Sequence, residues 1–293
     1  MKSLEINSNA KINLSLNITG VRETLHTLDM VIVSVDLADI VVIKKREDKK
    51  VKVSYLINDN KAVSCFDNCS VTNAINVFKN KIGFGGVEID VIKRIPIAAG
   101  LGGSGVDAAG VLRGLAQMNG IAVNNKELIE IAMAIGSDVP YLLRGGLARV
   151  RGVGNEIEYF DKGSHKTGFN IVIAKGKGGV LSKDAYRVFD EIYIDKKFEP
   201  SDNDGLLENL KSGVNSFRAF DFMDNALTKA SIKINYEVAN TLLELHNVGA
   251  IKTIMTGSGS GCVGFFCSYK KALQAAKELK DKGFFAYVSK TIA

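Results

Sequence analysis

Residues 96–109 constrain this chain more than any other stretch: Pro96-Ile97-Ala98-Ala99-Gly100-Leu101-Gly102-Gly103-Ser104-Gly105-Val106-Asp107-Ala108-Ala109. Four of the six residues from Gly100 to Gly105 are glycine. Apolar residues at helical spacing follow from Asp107 (Ala108, Val111, Leu112, Leu115, Met118), and Gly120 stands as a stop signal. Glycine permits positive φ and lets an anion approach main-chain N–H groups. A helix starting there adds unpaired N–H groups and the positive end of its dipole. The stretch predicts a phosphate-binding turn. The plainer alternative is a flexible loop closed by a capping aspartate, but such loops rarely open straight into a well-patterned apolar helix.

Two familiar phosphate motifs fail on this stretch. Gly100-x-Gly102-x-x-Gly105 matches the dinucleotide fingerprint letter for letter, but Pro96 and the three residues after it stand where a strand should run into the first glycine. No second strand ending in an acid follows at the right distance, since Glu127 and Glu130 fall inside a predicted helix. Gly100-x4-Gly105 begins like a P-loop, yet Val106-Asp107 replaces the required lysine and hydroxyl residue. A second glycine loop, Thr256-Gly257-Ser258-Gly259-Ser260-Gly261, lies between two apolar strands. It reads equally as a hairpin turn or as a loop packed closely against a ligand or the first glycine loop.

Composition narrows the class. With 293 residues, 46% hydrophobic, the chain builds a substantial core and is not disordered. Its 38 basic and 32 acidic side chains leave a formal charge of +6. The densest basic run, residues 44–50, is broken by Glu47 and Asp48, which argues against a nucleic-acid partner and for weak attraction to small anions. Four cysteines at positions 65, 69, 262 and 267 lack zinc or redox spacing and read as reduced thiols, and three scattered histidines suggest no metal site. No segment reaches the roughly 18 uninterrupted apolar residues of a membrane span, and no signal-peptide core opens the chain, so a cytoplasmic protein is expected.

Period-two alternation predicts strands over residues 51–57 and 87–91, and valine and isoleucine enrichment predicts another over 30–43. A second helix is expected over 125–135 with Gly136 just past its end. Later strands are expected at 169–174, 253–255, 262–267 and 286–292. Helices are expected at 181–192, over most of 218–246 and at 270–280, with loops at 175–179 and 200–205. The pattern is α+β in two parts: residues 1–160 with the phosphate turn, and residues 161–293.

Three stretches together resemble the GHMP small-molecule kinases: Ala10-Lys11-Ile12-Asn13-Leu14, Pro96-x3-Gly100-Leu101 with its turn and helix, and Met255-Thr256-Gly257-Ser258-Gly259-Ser260. Within that superfamily the chain is most similar to the kinases of 4-diphosphocytidyl-2-C-methyl-D-erythritol. The pointers are Gly136-Ser137-Asp138-Val139-Pro140-Tyr141, Gly145-Gly146-x-Ala148, Arg151-Gly152-x-Gly154-Asn155-Glu156, His26 at its distance from Lys11, and Val35-Asp36-Leu37-Ala38-Asp39. The resemblance covers nearly the whole chain, and its motifs are specific in order and spacing rather than singly.

That resemblance implies a two-domain GHMP kinase fold, with an N-terminal part like ribosomal protein S5 domain 2 and a ferredoxin-like C-terminal part. It implies phosphoryl transfer from ATP, with Mg²⁺, to the 2-hydroxyl of a CDP-linked methylerythritol in isoprenoid precursor synthesis. Asp138 is then the proton acceptor, and Lys11 orients it and offsets charge on the moving phosphoryl group. Pro96, Gly100, Leu101, Gly102, Gly103, Ser104, Gly105 and Asp107 form the ATP phosphate site, with Gly257, Ser258 and Gly259 as the third-motif loop. Asn13 and His26 reach the substrate, His26 at the cytosine edge, and Tyr186 stacks on the base. No protein metal ligand is implied, and the chain is a monomer or a homodimer.

Three departures touch the substrate and phosphate shells. Relatives carry a serine pair where this chain has Gly105-Val106, and Val106 offers no hydroxyl. Leu25 replaces an aromatic residue before His26, and a later Asn-Asp-Leu-Glu signature is reduced to Asp224-Asn225-Ala226-Leu227. Two further readings therefore stay open: a GHMP kinase for another small alcohol, and a non-catalytic nucleotide- or RNA-binding relative.

Overall fold

The computed structural model describes residues 3–57, 61–64, 69–165, 167–194, 198–212 and 217–292. The chain opens with two long strands, β1 (Ser3–Arg22) and β2 (Leu25–Arg46), then β3 (Val51–Ile57), β4 (Lys61–Ser64), α1 (Ser70–Lys81) and β5 (Gly86–Lys93). Three helices follow: α2 (Gly103–Met118), α3 (Lys126–Ile135) and α4 (Val139–Arg144). Next come β6 (Leu147–Gly152), β7 (Glu156–Tyr159), β8 (Asn170–Lys175), α5 (Ser182–Tyr193), α6 (Asn203–Ser212) and a 3₁₀ turn at Arg218–Phe222. The chain ends with α7 (Thr228–Ile234), α8 (Glu237–Asn247), β9 (Lys252–Met255), β10 (Cys262–Phe266), α9 (Tyr269–Asp281) and β11 (Phe285–Ile292).

Contacts divide these elements into two compact units that interleave along the chain, instead of meeting at the single boundary expected near residue 160. One comprises Met1–Ala10, Leu37–Pro96 and Gly102–Gly145; the other comprises Lys11–Asp36, Ile97–Leu101 and Gly146–Ala293. Residues 147–152 join the second unit because β6 pairs antiparallel with the first half of β2.

In the first unit the second half of β2 pairs antiparallel with β5, β5 pairs parallel with β3, and β3 pairs with β4. α2 is buried almost all round, as a helix with so few polar residues must be. Glycines bring it close to β2: a Cβ at Gly114 would fall 2.4 Å from Ile43 Cδ1. In the second unit β8 lies between β10 and β11, and β9 flanks β10, all antiparallel. The strand core is Ile171, Val172, Ile173, Val263 and Phe265, covered by α8 and α9.

Several sequence expectations are corrected. β1 was not foreseen at all, because its many asparagines and serines mask the alternation of Ile12, Leu14, Leu16 and Ile18. α2 starts at Gly103, before Asp107, since Gly103, Ser104 and Gly105 carry no apolar signal. The expected loop at 200–205 contains the start of α6, where Asp202 Oδ1 accepts from Gly205 N at 2.9 Å; the polar residues are the helix cap. Cys262 and Cys267 are free, as expected, whereas Cys69 is disulfide-bonded; Cys65 lies outside the described residues.

Candidate active site

A phosphate-binding turn is expected at the start of α2. Gly102 sits at its N-terminus in the left-handed region (φ 79°), and no side chain caps the helix. Among the described residues no acceptor is bonded to the N–H groups of Gly103, Ser104 or Gly105. Three donors and the positive end of a 16-residue helix therefore remain available to an anion.

Asp138 stands beside this turn. A Cβ at Gly105 would lie 3.8 Å from Asp138 Cβ and 3.2 Å from Leu142 Cδ1, so a larger residue at 105 would crowd the aspartate. Asp138 precedes α4, with Pro140 in the first turn, yet its carboxylate makes no capping hydrogen bond to that helix. A carboxylate next to unpartnered N–H groups can accept a proton from a hydroxyl brought to a phosphate held there. Asp107 is different. It was expected on the phosphates, but it is 3% exposed and its Oδ2 accepts from Lys93 at 2.7 Å.

In the second unit Lys11 is 5% exposed, and its ammonium donates to Asn13 Oδ1 at 2.9 Å. The same oxygen accepts from Gly257 N at 3.0 Å, while Asn13 N donates to Thr256 Oγ1 at 3.1 Å and Asn13 Nδ2 to Met30 Sδ at 3.4 Å. Asn13, expected on the substrate, thus joins Lys11 to the third-motif loop. That loop is buried against residues 98–100. A Cβ at Gly100 would fall 2.0 Å from Thr256 O, and one at Gly257 would fall 2.6 Å from Gly100 O. Of the two readings left open for this loop, the structure selects close packing on the first glycine stretch. Ser258, a buried residue, shares a hydrogen bond with Ser182 at 3.0 Å. Leu101 is buried and accepts from Lys11 N at 3.3 Å, whereas Pro96, in the first unit, is half-buried.

Sequence reasoning overlooked Asn225, whose Nδ2 donates to Met255 O at 2.8 Å and Gly257 O at 2.9 Å and so clamps the glycine loop. It sits in the eroded Asp224-Asn225-Ala226-Leu227 stretch, so the family signature was the signal that pointed to it. Also overlooked was Asp190, which lies one helical turn after Tyr186 on α5. His26 stacks on Tyr186 with centroids 4.7 Å apart at 20°, and its Nε2 is 2.8 Å from Asp190 Oδ1. Leu25 is 58% exposed beside it. No sequence pattern links residues 26 and 190; only the fold does.

The family described as GHMP kinases N terminal domain matches residues 70–146, which contain α1 to α4. The 4-diphosphocytidyl-2-C-methyl-D-erythritol kinase of Clostridium beijerinckii is 33% identical over 99% of this chain and 100% of its own length. That of Clostridium tetani is 35% identical over the same shares. This chain belongs to the 4-diphosphocytidyl-2-C-methyl-D-erythritol kinase family. A crystal structure of a 4-(cytidine 5'-diphospho)-2C-methyl-D-erythritol kinase aligns with a TM-score of 0.78 at 25% identity, covering 99% of this chain and 100% of that one. The mevalonate kinase of Methanococcus jannaschii, at 14% identity and a TM-score of 0.68 over 100% of this chain and 99% of its own, shares the fold. As a family member the chain is a kinase with the α+β GHMP architecture, and among the described residues no helix is long and apolar enough to cross a membrane.

Proposed function

We propose that this chain transfers the γ-phosphoryl group of ATP to the 2-hydroxyl of 4-diphosphocytidyl-2-C-methyl-D-erythritol, with Asp138 accepting the hydroxyl proton. The observation that supports this reading is Asp138 beside Gly105, its Cβ 3.8 Å from where a Cβ at Gly105 would stand, at a helix start whose N–H groups have no acceptor among the described residues. Phosphoryl transfer passes through a loose transition state with charge spread over the phosphoryl oxygens, so positioning and charge neutralisation supply most of the catalysis. The N–H groups of residues 103–105 hold and orient the phosphates. Lys11, its ammonium kept in place by Asn13 Oδ1, is assigned the offset of charge on the phosphoryl group.

Among the described residues no group of three or more His, Cys, Asp or Glu side chains converges where it could hold a metal ion. Magnesium arrives on the nucleotide phosphates in such sites, and no step here relies on a protein ligand for it. His26 and Tyr186 are assigned to the cytosine. With one face of Tyr186 covered by His26 and Leu25 in place of an aromatic, the base has less stacking surface than relatives provide.

That thinner base site also favours a second reading, in which the same chemistry serves another small alcohol. ADP release with ATP and Mg²⁺ decides between them. Turnover with the diphosphocytidyl substrate alone supports the first, and turnover only with another alcohol from a panel moves the assignment.

A further inference from the structure

A half-buried lysine and two buried carboxylates lie under the first turns of α2, and their bonding is unequal. Lys93 on β5 donates to Asp39 on β2 and, at 2.7 Å, to Asp107 Oδ2 on α2. Asp39 is saturated, because Oδ1 also accepts from Arg94 N at 2.6 Å and Ile95 N at 2.8 Å. Asp107 is not, since its Oδ1 is buried with no hydrogen-bond partner. The side chains of Asp39 and Asp107 are 0% and 4% exposed. One ammonium cannot neutralise two carboxylates there, and an uncompensated charge at such depth is costly. Two acids sharing a site resolve this by retaining a proton. Lys93 also marks the place: its Nζ lies 4.0 Å from where a Cβ at Gly103 would stand, close to the residue that opens the turn.

We propose that Asp107 is a positioning residue of the kinase reaction that works in its neutral, protonated form. With Lys93 and Asp39 it fixes the opening turn of α2 and keeps the ground behind the phosphate-binding N–H groups uncharged. The inference rests on reading that turn as the ATP phosphate site. Burial pushes the Asp107 carboxyl up, Lys93 pulls it down and the Asp39 charge adds to the push, leaving it well above the usual carboxylate range. Burial works against charge on Lys93, but the two carboxylates outweigh it and hold the ammonium protonated.

The other groups facing Asp107 do not supply a competing titration. Tyr55 on β3 has its phenol pushed up by burial and by the charges of Asp107 and Asp39. α1 and α3 bury apolar side chains (Val71, Ala74, Ile75, Phe78 and Leu128, Ile131, Ala132), and Asp138 precedes α4 with its Cβ 3.8 Å from where a Cβ at Gly105 would stand.

The sign follows from the raised pKa. Below it the cluster is neutral; above it a negative charge develops behind the anion site, so ATP binding weakens as pH rises. Fold stability moves the same way. The contribution is full below the ordinary carboxylate range and is lost as pH climbs through the raised value.

Calorimetric titration of ATP with excess Mg²⁺ into the full chain, from about pH 6.5 to about pH 9.5, tests this. The parent should lose about tenfold in affinity over the alkaline limb, the size expected for one nearby charge. Asp107→Leu should weaken ATP about tenfold at neutral pH, whereas Asp107→Asn, neutral and still able to hydrogen-bond Lys93, should restore binding and flatten the limb. An Asn variant that keeps the alkaline limb, or binds as poorly as the Leu variant at neutral pH, overturns the proposal. The readout needs no acceptor alcohol. A parent that binds ATP with the predicted profile but does not phosphorylate the diphosphocytidyl substrate defeats the acceptor assignment alone. A parent that binds no ATP at any pH defeats the phosphate-site reading and this inference together.

Discussion

The turn at Gly102–Gly105 and the loop at Thr256–Gly261 draw on the same small residues, glycine and serine, yet their backbones do different work. In the first, Ser104 is exposed, the N–H groups of residues 103–105 have no acceptor among the described residues, and Asp138 stands alongside Gly105. In the second every residue is buried and the backbone is tied down: Ser260 N and Gly261 N each donate at 3.2 Å, to Ala98 O and Ala99 O, and Asn225 clamps the loop from the side. Glycine serves the open turn by exposing donors to a ligand and the closed loop by letting two backbones touch. The difference teaches that glycine richness signals close approach, while the partner that approaches is set elsewhere in the chain.

The sharpest way to break the comparison is at the open turn. Asp138→Asn should lower kcat for ADP release by about 10³-fold or more, within the usual range for losing a general base, with ATP affinity nearly intact. An active variant would remove the proton acceptor from the proposed mechanism. Next is the closed loop. Gly100→Ala places a methyl group 2.0 Å from Thr256 O at a left-handed backbone position (φ 69°), so it should cost about 3 kcal/mol or more in urea unfolding. Ser104→Ala, in the open turn, should cost less than about 0.5 kcal/mol in the same assay, and equal costs would erase the distinction. The smallest effect is expected at the base site. Asp190→Ala frees His26 Nε2 and should raise KM for the diphosphocytidyl substrate about two- to fivefold at nearly constant kcat, the scale of one partly exposed hydrogen bond.

Much of the second half was readable because it obeys simple periods. β8, β10 and β11 are short apolar runs, and α9 carries Ala272, Ala275, Ala276 and Leu279 on one face, so strand and helix patterns locate them within a residue or two. The start was unreadable for the opposite reason. In β1 the polar residues Asn13, Ser15 and Asn17 are buried, which looks unfavourable until partners more than 180 residues away in sequence are supplied: Gly257 for Asn13, Asn203 for Ser15 and Ser201 for Asn17. The site shows the same split. Motif spacing named Lys11, Asp138 and the glycine turn, but not that Asn13 and Asp107 turn inward to protein partners.

By itself the sequence determined the α+β class, the glycine turn before α2 and the membership in a kinase family, because these depend on local periodicity, glycine placement and motif order. Tertiary structure alone decided which glycine loop stays open, which aspartate lies beside the open turn and which is buried against a lysine, and where His26 finds its partner. Those outcomes depend on burial and on distances between residues far apart in the chain, and neither is encoded in any local pattern.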